Sequence, residues 1–140
     1  MAVKVLVIDG QGGGVGRRLV AALKERMPGQ PVIVLGTNVQ ATTAMLRAGA
    51  DFGATGESAI RYQCKTADVI LGVSGILHAN AMLGEISPGI AAAVSLSDGQ
   101  KVLVPLESCG LRIAGVGKQP LDSLIREAAR IAAQLCGQAE

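Results

Sequence analysis

The chain has 140 residues, 49% of them hydrophobic and 17% charged, with 13 Lys and Arg against 11 Asp and Glu for a formal net charge of +2. Soluble domains average about 25% charged residues, so this composition supplies a buried core and excludes a disordered chain. Two aromatics, Phe52 and Tyr62, no Trp, and no basic cluster beyond Arg17-Arg18 exclude the stacking surface and cationic footprint of a nucleic-acid binder.

A chain of this length suits one domain over 1–140. Cys64, Cys109 and Cys136 are odd in number and lack C-x-x-C spacing, which points away from disulfides and zinc and toward a reduced, cytoplasmic setting. The apolar run Val3 to Ile8 is too short for a signal peptide and meets Asp9. Ser74, His78 and Asn80 interrupt the stretch from Val69 to Gly84, so no membrane span is expected.

In chain order, Val3–Ile8 is apolar and β-branched apart from Lys4, the pattern of a central parallel strand covered on both faces. A glycine-rich turn follows over Gly10–Gly16. Leu19, Val20, Leu23 and Met27 then recur at helical intervals until Pro28-Gly29. Pro31–Leu35 reads as a second buried strand, and Thr37-Asn38 opens a short helix through Leu46, closed by Gly49. The stretch from Gly49 to Gly56 fits either a short third strand or a functional loop, and Glu57–Thr66 fits a helix. Val69–Val73 is another strand, and Ser87-Pro88 carries the cap and first-position chemistry of a helix start. Lys101–Leu106 and Leu111–Val116 read as two late strands joined through Glu107-Ser108-Cys109-Gly110, with Cys109 an unpromising nucleophile. Gln119-Pro120 starts the last helix, whose stripe is Leu121, Leu124, Ile125, Ala128, Ile131 and Leu135.

Strands alternating with helices predict an α/β fold, a three-layer Rossmann-like sandwich with a mostly parallel sheet and Val3–Ile8 at its centre. Ligands of such sheets sit beyond the carboxyl ends of the strands. That rule directs attention to Asp9, Gly10, Gln11, Gly12, Gly13, Gly14, Val15, Gly16 and Arg17, and to Thr37, Asn38, Ser74 and Gly75. Five glycines within seven residues, between a strand and a helix, exceed what a tight turn needs. They would bring backbone amides and the positive end of a helix against a phosphate. Arg17 and Arg18 in the first helical turn oppose the helix dipole unless an anion docks there; two solvated side chains are the alternative.

Two loop types resemble this one. Gly10-x-x-x-Gly14-x-Gly16 is similar to the dinucleotide fingerprint of the short-chain dehydrogenases, and Asp68-Val69-Ile70-Leu71-Gly72-Val73-Ser74-Gly75-Ile76 resembles their fourth strand. That likeness implies NAD(P) or another nucleotide as ligand. Tyr62 and Lys65 lack the Tyr-x-x-x-Lys spacing of that family, however, which argues against its hydride-transfer chemistry. Gly12-Gly13-Gly14-Val15-Gly16-Arg17-Arg18 also resembles the deviant Walker A loop of ParA-like ATPases, but Arg18 replaces the magnesium-binding hydroxyl, which argues against hydrolysis. Most of the chain resembles a small uncharacterised bacterial family. The likeness is carried by Val7 to Gly14, Leu35-Gly36-Thr37-Asn38, Arg47-Ala48-Gly49-Ala50, Gly53 to Glu57 and Met82-Leu83-Gly84-Glu85-Ile86. It implies a Rossmann-like fold and no particular activity.

The end of the second strand should carry the ribose reader, Asp or Glu for NAD. Here it is Gly36-Thr37-Asn38, which can bond a ribose or phosphate or simply cap a helix. Glu57 and Glu85 lie among small or apolar residues, surroundings that can raise a carboxylate pKa toward acid–base work, the alternatives being a first-turn helix residue for Glu57 and a solvated carboxylate for Glu85; Asn80 follows the fourth strand beside the lone His78. Two functions remain: binding of a phosphorylated nucleotide-like ligand by a sensor or accessory protein, or a small enzyme using Glu57, Asn80 or Glu85 on such a ligand. The helix after Ser87 carries no charge between Glu85 and Asp98, which predicts a homodimer built on it, unless late strands and the last helix cover it.

Overall fold

The computed structural model describes residues 2–108 and 110–137; Cys109 lies outside the described residues. A five-stranded, all-parallel sheet runs in the order β3-β2-β1-β4-β5. The strands are β1 (Val5–Asp9), β2 (Val32–Gly36), β3 (Phe52–Thr55), β4 (Val69–Val73) and β5 (Gln100–Val104). The helices are α1 (Gly14–Arg26), α2 (Val39–Arg47), α3 (Glu57–Cys64), α4 (Pro88–Leu96) and α5 (Leu121–Leu135). The expected central strand is central: Val5 pairs with Val32 on one side and Val69 on the other.

The pleat sends alternate residues of β1 into two separate apolar layers. Val5 and Val7 pack with Leu19, Val20 and Leu23 of α1, Met45 of α2 and the alanine-rich face of α5. Leu6 and Ile8 pack with Ile60 of α3 and with Ile90, Ala91 and Val94 of α4. The result is the three-layer Rossmann-like sandwich. Because both faces of β1 are sealed, all five of its residues are buried and its sequence shows no polar alternation.

The undecided stretch after Gly49 contains a strand. β3 is the exposed sheet edge, with Phe52 64% exposed, so it lacks the apolar run that reveals a buried strand. The expected strand over Leu111–Val116 does not form. Gly110, Gly115 and Gly117 have φ of 79°, 86° and 65°, which breaks extended backbone. The Leu111 amide turns back to the Ser108 carbonyl and that of Ile113 to the Glu107 carboxylate (both 2.9 Å), so neither joins the sheet. Both predicted helix caps are present: Asn38 Oδ1 accepts from the Ala41 amide at 2.9 Å and Ser87 Oγ from the Ile90 amide at 3.1 Å. Among the described residues no helix is long and apolar enough to cross a membrane.

The β2–α2 junction, which carries Thr37 and Asn38, is held by one buried hydroxyl. Thr42 Oγ1 accepts from the Gly36 amide at 3.1 Å, lies 2.7 Å from Thr55 Oγ1 and is within reach of the Asn38 and Ala54 carbonyls. Thr42→Val keeps the shape but removes the hydroxyl shared by the Gly36 amide and Thr55 Oγ1, while the Gly36 amide keeps its place in the β2–β3 ladder, so chemical denaturation should show a loss of about 0.5–1.5 kcal/mol that Thr42→Ser largely restores.

Candidate functional site

Asp9 ends β1 and turns its side chain back under the loop that follows. Its Oδ1 accepts from the Gly10 amide at 2.8 Å and its Oδ2 from the Gly16 amide at 2.7 Å. The carboxylate is only 5% exposed, and burial pushes its pKa up against the pull of those two amides and in concert with the nearby charge of Glu85. Asp9 therefore shapes the loop from below.

The glycines divide into two groups. A Cβ on Gly10 would meet Thr37, Met82 and Glu85, and one on Gly16 would lie 2.6 Å from Met45 Sδ and 2.8 Å from Asp9. Gly13, the residue before α1, has φ 71°. These three serve the fold of the loop itself. Cβ positions at Gly12 and Gly14 meet nothing within 4 Å. They face a cleft of about 470 Å³ whose floor is Asp9 to Val15 and whose walls include Val73, Gly75, Met82, Leu83 and Leu106. That volume falls in the usual range for small-molecule sites.

Amide accounting at the start of α1 gives the chemistry. A helix leaves its first amides without intrahelical acceptors. Here the Gly13 amide bonds the Gly10 carbonyl and the Gly16 amide bonds Asp9. The amides of Gly12, Gly14 and Val15 have no acceptor among the described residues and border the cleft. The two arginines part company. Arg18 pairs with Asp122 of α5, whereas exposed Arg17 makes no ion pair among the described residues. The anion-binding potential at the cleft thus rests on three amides; Arg17, exposed in the first turn of α1, does not line it.

The loop after β4 forms the opposite wall. Asn80, Met82, Leu83 and Gly84 have φ of 69°, 56°, 57° and 92°, a run of left-handed residues that folds the segment over the end of β1. Asn80 tolerates that conformation well, and its backbone ties the loop: its amide bonds the Ile86 carbonyl at 2.7 Å and its carbonyl accepts from Gly84 at 3.1 Å. Glu85 Oε1 then reaches across to accept from the Gln11 amide (2.8 Å), Thr37 Oγ1 (2.6 Å) and Asn38 Nδ2 (3.0 Å). The bond from Thr37, followed by that from Gln11, lowers the Glu85 pKa. The expectation of a raised value is thereby corrected: the surrounding polar hydrogens outweigh the apolar neighbours in sequence.

Glu57 stands elsewhere. Its carboxylate accepts from Ser87 Oγ and lies 3.5 Å from Arg61, joining the starts of α3 and α4, and it borders a separate hollow with Tyr62 and Lys65. Ser74 Oγ both accepts from and donates to the backbone of Leu106, at 3.0 and 3.1 Å, and so holds a wall of the cleft. The structure therefore brings Asp9–Gly12, Gly14, Val15 and Gly75 together at the cleft, with Glu85, Thr37 and Asn38 clustered beside Gln11; Gly13, Gly16, Arg17 and Asn80 are not part of the lining. Sequence reasoning passed over Met82, Leu83 and Leu106, because apolar residues in loops carry no signal of their own, and Ser108, because a lone loop serine carries none either.

Over residues 4–136 the chain matches the family described as Domain of unknown function (DUF3842). It belongs to that family. None of the curated proteins matches it. Among solved structures, it is similar to a dodecameric FMN-dependent UbiX-like decarboxylase from Escherichia coli O157:H7, at 16% identity and TM-score 0.52, over 97% of this chain and 96% of that one. Weaker likeness extends to a candidate oxidoreductase from Pseudomonas putida KT2440 (19% identity, TM-score 0.48, 91% of this chain and 38% of that one). AibC stands at 22% identity and TM-score 0.46, over 96% of this chain and 43% of that one. At 16% identity the likeness to the decarboxylase is one of fold alone.

The two groups of glycines should separate in stability measurements. Gly16→Ala forces Met45 or Asp9 to move and is expected to cost about 1–3 kcal/mol, as overpacking does. Gly14→Ala should change the melting free energy by less than roughly 0.5 kcal/mol, in line with exposed substitutions generally.

Proposed function

We propose that this protein binds a phosphorylated, nucleotide-type small molecule across the carboxyl ends of β2, β1 and β4, as a sensor or accessory protein. The observation that carries the reading is the set of acceptor-free amides at Gly12, Gly14 and Val15, bordering a cleft where no Cβ or internal carboxylate covers them. A phosphate there would receive charge-assisted hydrogen bonds and the favourable end of the α1 dipole. Arg17, exposed in the first turn of α1, would turn toward the phosphate to supply the compensating charge, and the apolar wall of Val73, Met82 and Leu106 would take the rest of the molecule. NAD(P), a mononucleotide and a flavin mononucleotide all fit that description, the last being the cofactor named for the decarboxylase with the similar fold.

Calorimetric titration with NAD, NADP, ADP, ATP and FMN tests this directly. At least one should bind, Arg17→Ala should weaken it roughly ten- to a hundredfold, the worth of one hydrogen bond to a charged group, and Gly14→Ala should weaken it by intruding on the phosphate. A flat response to all five, from protein purified free of ligand, rejects the reading.

The same protein is proposed to pair with a second copy through α4. Ile90, Ala91 and Val94 of this helix face the sheet, while Ala92, Ser95 and Leu96 are exposed, Leu96 to 81%. α5 packs with α1 on the opposite face of the sheet and leaves that surface uncovered. Two-fold pairing is the common way to bury such a face. Light scattering should give a dimer mass, and Ala92→Lys should give a monomer; a monomeric wild type rejects the pairing.

A further inference from the structure

We propose that Glu85 reads the ribose of the bound nucleotide and selects a free 2′,3′-diol over a 2′-phosphate. This inference rests on the nucleotide-binding reading above and names the ligand class more narrowly. In parallel sheets of this topology the ribose is held by a carboxylate at the end of the second strand. β2 ends in Gly36-Thr37-Asn38 and has no carboxylate of its own. The fold delivers one from 48 residues further along the chain.

Three contacts fix its place. Thr37 and Asn38 at the end of β2 and the Gln11 amide in the glycine loop all donate to Glu85 Oε1. The Thr37 amide in turn bonds the Asp9 carbonyl at 3.0 Å, so this junction lies directly beside the end of β1. The carboxylate therefore stands between the end of β2 and Gln11, the loop residue next to Gly12; it borders the cleft through Gln11 rather than lining it, and a ribose whose 5′-phosphate rests on Gly12 and Gly14 would reach it there. Oε1 is occupied by three donors, whereas Oε2 has no partner among the described residues. A ribose hydroxyl can donate to Oε2; a 2′-phosphate cannot. The partners of Glu85 are an amide, a hydroxyl and a carboxamide, so none of them offers a cation to a second phosphate.

The contacts also dictate which variant is informative. Glu85→Gln retains an oxygen for the Gln11 and Thr37 donors and removes the charge, so the loop is expected to persist, with its melting temperature as the check. Calorimetry with four probes, NAD, NADP, ADP and 2′-deoxy-ADP, then reads the selectivity. In the wild type, NAD should bind more tightly than NADP, and ADP more tightly than 2′-deoxy-ADP, each by roughly ten- to a hundredfold, and Glu85→Gln should collapse both ratios toward unity. Equal affinities within each wild-type pair, or preference for NADP, would overturn the role of Glu85 while leaving nucleotide binding intact. Binding of FMN with no adenine nucleotide bound would do the same, because a ribityl chain presents no ribose ring. If none of these molecules binds, the nucleotide-binding reading itself falls and this inference falls with it.

Discussion

The candidate site depends on one buried carboxylate. Asp9 holds the amides of Gly10 and Gly16, the two ends of the glycine loop, at 2.8 and 2.7 Å. Burying a charge is unfavourable unless hydrogen bonds compensate it, and here burial raises the pKa while both amides oppose that rise. Since the folded-state value lies above the ordinary 3.8, ionisation of Asp9 removes stability as pH rises through the raised value. The protein tolerates that cost because the carboxylate sits at the positive end of α1 and fixes the path of seven residues. Asp9 takes the amides of Gly10 and Gly16, and those of Gly12, Gly14 and Val15 are left without an acceptor among the described residues, bordering the cleft.

Glu85 closes the same loop from above with the opposite titration behaviour. Its value is held below the ordinary 4.5 by Thr37 and Gln11, so its contribution is present at neutral pH and is lost as pH falls through the lowered value. The chain reaches this position through Met82 and Leu83 in left-handed conformations, each of which costs a non-glycine residue on the order of 1–3 kcal/mol. Bonds between Asn80 and Ile86 and between Ile86 and Ala81, with Ile86 fully buried, hold the strained segment in place. The two carboxylates thus hold the amides of Gly10 and Gln11, and Thr37, Met82 and Glu85 crowd Gly10 so that a Cβ there has no room.

Much of the fold was legible because local pattern and tertiary role coincide. β1, β2 and β4 are covered on both faces and read as continuous apolar runs; Asn38 and Ser87 cap the helices their chemistry predicts. β3 was ambiguous because an exposed edge strand has no such run, and Leu111–Val116 misled because its apolar residues alternate while its flanking glycines take positive φ. In the site, the glycine loop was visible from its composition, but which glycines serve packing and which leave open space was not. Nothing local distinguishes Gly10 and Gly16 from Gly12 and Gly14; Met45, Thr37 and Glu85, distant in sequence, make the difference.

The sequence by itself determined the alternation of strands and helices, the central position of β1 and the glycine-rich turn at its end, because each follows from residues close together in the chain. Only the tertiary structure decided that Arg18 is taken by Asp122, that Glu57 and Glu85 belong to different places, and that Glu85 meets Thr37 and Asn38 at the end of β2. Those are contacts between residues tens of positions apart. They arise from strand order and from the path of the loop after β4, neither of which leaves a mark in the neighbouring amino acids.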